Sequence, residues 1–147
     1  MKKGFLRFAF VIALFSIFLP IKVSALTFKV EKSVDTAKPG SEVTVYVKAS
    51  DVTEDSIQGY SINLSYDTTK LEYKSSSSDV SDINAASNPL IISKKASAGT
   101  ISSNATLAAF VFGVKNNSKA GDCNLTIDSS NVVLISGNQV NATNTSS

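Results

Sequence analysis

Eleven consecutive residues, Ile57 to Asp67 (I-Q-G-Y-S-I-N-L-S-Y-D), alternate apolar with small polar side chains more regularly than any other part of this 147-residue chain. Successive side chains of an extended strand point to opposite faces, so Tyr60, Ile62, Leu64 and Tyr66 are predicted to face a core. Gly59, Ser61, Asn63 and Ser65 then share the opposite face. A helix would scatter the same residues around its circumference, and the aromatic and β-branched content also favours a strand. The outward row carries neither a charge nor a long side chain. An ordinary solvated sheet face or a docking surface would present such a row, and these four residues are the candidate partner-binding site.

The same two-residue period recurs in Leu26, Phe28 and Val30, in Val43, Val45 and Val47, in Leu71 and Tyr73, and in Ala108, Phe110, Phe112 and Val114. Lys38-Pro39-Gly40-Ser41 places Pro and Gly where a type II turn needs a fixed negative φ and then a positive one. Pro89 to Lys95 and Gly99 to Asn104 read as two short strands, and Cys123 to Asp128 and Val132 to Ile135 as two more. Ser75 to Asn88, rich in Ser, Asp and Asn and without a period, reads as a long surface loop. About nine short strands with no amphipathic helix predict an all-β, antiparallel sandwich. Residues 141–147 (N-A-T-N-T-S-S) have no apolar face and read as a linker or disordered tail, which bounds the domain at residues 26–140.

Ahead of the domain, Lys2, Lys3 and Arg7 precede the apolar run Phe8 to Leu19, Pro20 breaks it, and Val23-Ser24-Ala25 forms the small-residue pattern of a cleavage site. A membrane-spanning helix needs roughly 20 apolar residues, more than this run supplies. Residues 1–25 therefore read as a signal peptide removed after Ala25, and the expected location is extracellular, either free or at the cell surface. The signal holds four of the 14 Lys and Arg and none of the 12 Asp and Glu, so its removal turns a net charge of +2 into −2. No basic surface remains for nucleic acid phosphates or an anionic membrane. Cys123 is the only cysteine, which rules out an intrachain disulfide. Standing two and four residues before Leu125 and Ile127, it reads as a small core side chain, with intermolecular pairing as the alternative.

Catalytic chemistry finds few groups to use. The chain has no His, so neither a His-based triad nor a Cys–His pair can form. A glycosidase needs two carboxyl groups across a cleft at about 5 to 10 Å, but Glu54 with Asp55 and Asp79 with Asp82 fall in stretches that read as solvated loops. Zinc lacks ligands and no EF-hand loop is present, although calcium held by scattered loop oxygens stays open. The expectation is a non-enzyme without a cofactor or a dedicated metal site.

A family resemblance rests on A-K-P-G-S-E-V-T-V-Y-V at Ala37 to Val47, I-Q-G-Y-S-I-N-L-S-Y-D at Ile57 to Asp67, L-E-Y at Leu71 to Tyr73, L-A-A-F-V-F-G-V-K at Leu107 to Lys115, and Ala120-Gly121. Together these resemble the cohesin family, the bacterial cellulosome-scaffold modules that bind dockerin modules on enzymes. The resemblance implies a nine-stranded jelly-roll sandwich, similar also to the family-three cellulose-binding modules. It further implies a dockerin-type protein partner. In type I cohesins the strand equivalent to Ile57 to Asp67 presents an Asn and an Asp to the dockerin helices, and those positions here correspond to Gly59 and Ser61. Thr68 stands where the family usually has Pro.

The expected function is thus a secreted binding module that docks a protein partner through a flat sheet face, in extracellular polysaccharide degradation or surface assembly. A carbohydrate-binding module is the main alternative, and a structural module of a surface protein is another. Sugar stacking normally uses exposed aromatic rings, for which only Tyr46 and Tyr73 are candidates.

Overall fold

Alternation in the sequence becomes alternation in burial. Val43, Val45, Val47 and Ala49 are buried in one strand, Tyr60, Ile62 and Leu64 in another, and the residues between them are partly exposed. The computed structural model describes residues 26–140 and 142–145, so the signal expected over residues 1–25 lies outside the described residues. Ten strands build two sheets: β1 (Thr27–Lys32), β2 (Glu42–Ser50), β3 (Ile57–Tyr66), β4 (Leu71–Ser77), β5 (Ser81–Asn84), β6 (Leu90–Lys94), β7 (Ala105–Val114), β8 (Leu125–Leu134), β9 (Gln139–Val140) and β10 (Thr143–Thr145). One sheet has the order β10-β1-β2-β7-β4 and the other β5-β6-β3-β8-β9. All pairings are antiparallel except β1 with β10. This is the expected all-β jelly-roll sandwich. Among the described residues there is no helix, hence none long and apolar enough to cross a membrane.

The core lies between the sheets. Phe28, Phe110 and Phe112 are completely buried with Ile57, Ile62, Leu64, Leu90, Ile92 and Leu107, each such side chain contributing about 1.5–3 kcal/mol by leaving water. Phe28 meets Tyr60 edge-on across the sandwich at 6.1 Å, and Tyr66 leans on Phe112 at 4.8 Å. The Lys38–Ser41 turn forms as predicted, with Gly40 at φ +82° and the Ser41 amide donating to the Lys38 carbonyl at 3.1 Å.

Four segments differ from the sequence expectations. The supposed loop Ser75 to Asn88 contains the end of β4 and all of β5. Ser75, Ser76 and Ser77 pair with β7 through backbone groups, which need no apolar side chain. Gly99 to Asn104 forms no strand, and only Ile101 bridges to Ile57. The two strands expected across Cys123 to Ile135 are one, β8, and Cys123 precedes it, half-buried against the core. A bulge explains the apparent break: Ile127 opposes Leu64 and Ser129 opposes Asn63, leaving Asp128 as the extra residue that resets the alternation. Finally, residues 143–145, expected in a linker, form β10, where Phe28 and Lys29 of β1 oppose Asn144 and Thr145. Backbone pairing on a sheet edge accepts a polar strand whose sequence shows no buried face.

Candidate functional site

Strand β3 is central in its sheet, flanked by β6 and β8, so its outward residues occupy the middle of a face rather than an edge. Strand register converts that face into rows. Asp82, Ser93, Ser61 and Asn131 lie side by side across β5, β6, β3 and β8, and the next row holds Asn84, Ile91, Asn63 and Ser129. Gly59 stands beside Val133 in the row before, and Ser65 beside Thr126 in the row after. Gly59, Ser61, Asn63 and Ser65 are thus brought onto one surface, each partly exposed. Adjacent strands are about 4.8 Å apart, which makes the four-strand floor ~14 Å wide, broader than one helix.

The floor is organised by hydrogen bonds between neighbouring strands. Asn63 Nδ2 donates to Ser129 Oγ at 3.0 Å, and the Ser65 hydroxyl donates to the Asp128 carboxylate at the bulge. Ser61 makes no side-chain hydrogen bond among the described residues, so its hydroxyl is available to a partner. Space exists for a Cβ at Gly59, whose nearest neighbour would be Val133 Cβ at 3.9 Å, so glycine there leaves the floor bare without relieving a clash.

Residues that the sequence did not assign to this face complete it. Ile91 is 38 % exposed at its centre, directly beside Asn63. Within Leu90-Ile91-Ile92 three apolar residues run together, so the outward member cannot be told from its buried neighbours by hydropathy. Asp82 belongs to β5, the strand hidden in the supposed loop, and Asp128 is revealed only by the bulge.

The end of the Ile57-to-Asp67 segment, the start of Leu71 to Tyr73 and the end of Leu107 to Lys115 meet at one end of the sandwich. The Asp67 carboxylate accepts from the Thr69 amide at 2.9 Å and the Thr69 hydroxyl at 2.5 Å, while the Asp67 carbonyl accepts from the Leu71 amide at 2.8 Å. Those Thr69 bonds hold the Asp67 carboxyl below the usual carboxylate range. Lys115 reaches the same turn, donating from Nζ to the Thr68 carbonyl at 2.7 Å and from its amide to the Lys70 carbonyl at 2.8 Å. The turn from Asp67 to Leu71 and the Lys115 end of the Leu107-to-Lys115 segment are therefore a structural clamp where the chain crosses from one sheet to the other. A groove of about 740 Å³ opens beside this clamp, with Val43, Leu71, Phe112 and Leu125 in its floor and Cys123 on its wall. Burial, followed by the negative charge of Asp67, pushes the Cys123 thiol above its ordinary pKa.

Among the described residues, side chains considered for rival chemistries are engaged elsewhere. Tyr46 lies on the outer face of the other sheet under Lys48, whose ammonium is 5.8 Å from the ring centre. Tyr73 turns inward, edge-on to Phe112, with its hydroxyl 2.8 Å from Ser76 Oγ. No aromatic strip joins them. Asp55 is spent on fastening the turn before β9, accepting from the Ser136 amide at 3.0 Å and hydroxyl at 2.6 Å. Among the described residues no three His, Cys, Asp or Glu side chains converge as metal ligands.

Comparison with solved structures finds the same sandwich. The sixth cohesin of scaffoldin B from Acetivibrio cellulolyticus, solved with a Cel5 dockerin mutant, superposes with a TM-score of 0.73 at 24% identity, over 83% of this chain and 95% of that one. The OlpC cohesin of Clostridium thermocellum, in complex with the dockerin Doc435, gives 0.70 at 17% identity over 85% and 93%. A non-cellulosomal cohesin from the archaeon Archaeoglobus fulgidus gives 0.66 at 20% identity over 83% and 87%. No curated protein matches the chain. The family model for the cohesin domain matches residues 26–147, which spans every described strand, and the chain belongs to the cohesin domain family.

Proposed function

We propose that this chain is a secreted, non-catalytic docking module that takes a dockerin-type protein partner on the outer face of the β5-β6-β3-β8-β9 sheet. The observation that carries this reading is the central row of Gly59, Ser61, Asn63 and Ser65, uncharged and flanked by exposed Ile91. Small side chains let a partner's backbone approach closely and lose little rotamer entropy on contact. Membership in the cohesin family supports the docking role, as do cohesin relatives solved with dockerins bound. The basic, apolar and small-residue order of residues 1–25 supports export, with an extracellular role in polysaccharide degradation or surface assembly. Pull-down from culture supernatant tests the reading. Recovery of a dockerin-bearing protein is expected, whereas retention on insoluble cellulose or chitin with no protein partner would overturn it. Mass spectrometry of the secreted material should find Leu26 at the amino terminus, and a chain retained with Met1 would refute the export step.

A further inference from the structure

The docking face has a charge pattern that restricts its partner. Its two exposed carboxylates stand near opposite corners, Asp82 on the edge strand β5 and Asp128 at the β8 bulge. Lys94, the cation of β6, is turned away and donates to the carbonyls of Ala98 at 2.6 Å and Lys95 at 3.3 Å. Between the two acids the floor is neutral, with Ile91 exposed near the line that joins them. Three strand spacings across and slightly more than one row along separate the acids by about 17 Å, the length of ~11 residues of α-helix.

Resting on the docking reading above, we propose that the partner is a helical segment with an aliphatic patch that covers Ile91 and a Lys or Arg toward each end, one facing Asp82 and the other Asp128. A buried aliphatic contact at the centre supplies the anchor, while carboxylates at the rim select the sign of the approaching charge and speed its encounter. Arg suits either corner because its planar fork can engage a carboxylate through two parallel hydrogen bonds. An acidic helix face would bring like charges together at both ends of the same footprint and be rejected.

The test measures association of the chain from Leu26 onward, which holds the whole described core, with two sets of purified dockerin modules: one with Lys or Arg on the exposed helix faces and one with Asp or Glu there. The basic set should bind at least about 10-fold more tightly, with faster association that slows as salt rises. Asp82→Asn and Asp128→Asn should each weaken the basic set several-fold, and the double variant should abolish the preference. Ile91→Ala should weaken binding by about 10-fold through faster dissociation. Asp82 makes no side-chain hydrogen bond among the described residues, so Asp82→Asn keeps the test decisive even if Asp128→Asn disturbs the bulge. Equal affinity for both sets, unaltered by either Asn variant, would overturn the proposal and leave docking intact. Failure of both sets to bind would instead remove the docking reading and the proposal together.

Discussion

The two sheets share one core and one alternation, yet their outer faces are built from opposite materials. On the β10-β1-β2-β7-β4 sheet, Glu31 is held between Lys29 at 3.0 Å and Lys48 at 2.5 Å, and Glu72 pairs with Lys74 at 2.7 Å. Hydrogen bonds from Lys48 and then Lys29 keep the Glu31 carboxyl below the usual carboxylate range, and Lys74 does the same for Glu72. On the β5-β6-β3-β8-β9 sheet the central residues are Gly, Ser, Asn and Ile. Paired charges lie over the first face and would have to be stripped of water and immobilised before anything could pack there. The second face has little to desolvate at its centre. Identical folding requirements thus leave the outward positions free to make one face resistant to contact and the other receptive.

Substitution can break that contrast, beginning with the core both faces share. Phe112→Ala should cost about 3–5 kcal/mol in chemical denaturation, because a fully buried ring that touches Tyr66, Tyr73 and Phe110 leaves a cavity between the sheets. Both faces should be lost in a single transition, and separate unfolding of the two sheets would show that the core is not shared. Ser61→Arg should lower partner affinity by on the order of 100-fold or more with the unfolding midpoint unchanged, since the bulk and charge enter only the face proposed for docking. Thr44→Arg, on the outer face of the other sheet, should leave affinity as it was. Titration calorimetry with a captured dockerin measures both, and equal effects of the two would erase the distinction between the faces.

Smaller effects sharpen it. Asn63→Ala should weaken binding by about 1 kcal/mol if its amide gives one hydrogen bond to the partner. The weakest effect belongs to the charged face. Glu31 and Glu72 have folded pKa values below their unfolded ones, so their stabilisation is complete above the ordinary carboxylate range and is lost as pH falls through the lowered values. Urea midpoints followed from neutral pH into acid should show this decline, and Glu31→Gln should reduce it slightly. An unaltered acid profile in Glu31→Gln would mean that its pairs with Lys29 and Lys48 contribute nothing in solution.

Much of this architecture is legible wherever a strand buries one face. Val43 to Val47, Tyr60 to Leu64 and Phe110 to Phe112 announce themselves because period-two hydropathy and one-sided burial are the same fact. Pro39-Gly40 announces its turn because backbone dihedrals are restricted locally. Ser75 to Ser77 and Thr143 to Thr145 are silent because edge pairing uses backbone groups that every residue carries. Asp128 is silent for a different reason: the bulge is defined only by the strand opposite, and one extra residue inverts the apparent parity of everything after it.

The candidate site divides along the same line. By itself the sequence determined that Gly59, Ser61, Asn63 and Ser65 share a face, since that follows from the geometry of one extended strand. Only the tertiary structure decided that this strand is central, that Ile91 adjoins Asn63, and that Asp82 and Asp128 stand near opposite corners of the same floor. Neighbours along a strand are fixed by covalent spacing. Neighbours across a sheet depend on register between segments distant in sequence, such as the 66 residues that separate Asn63 from its hydrogen-bond partner Ser129, and that register is set by how the whole core packs.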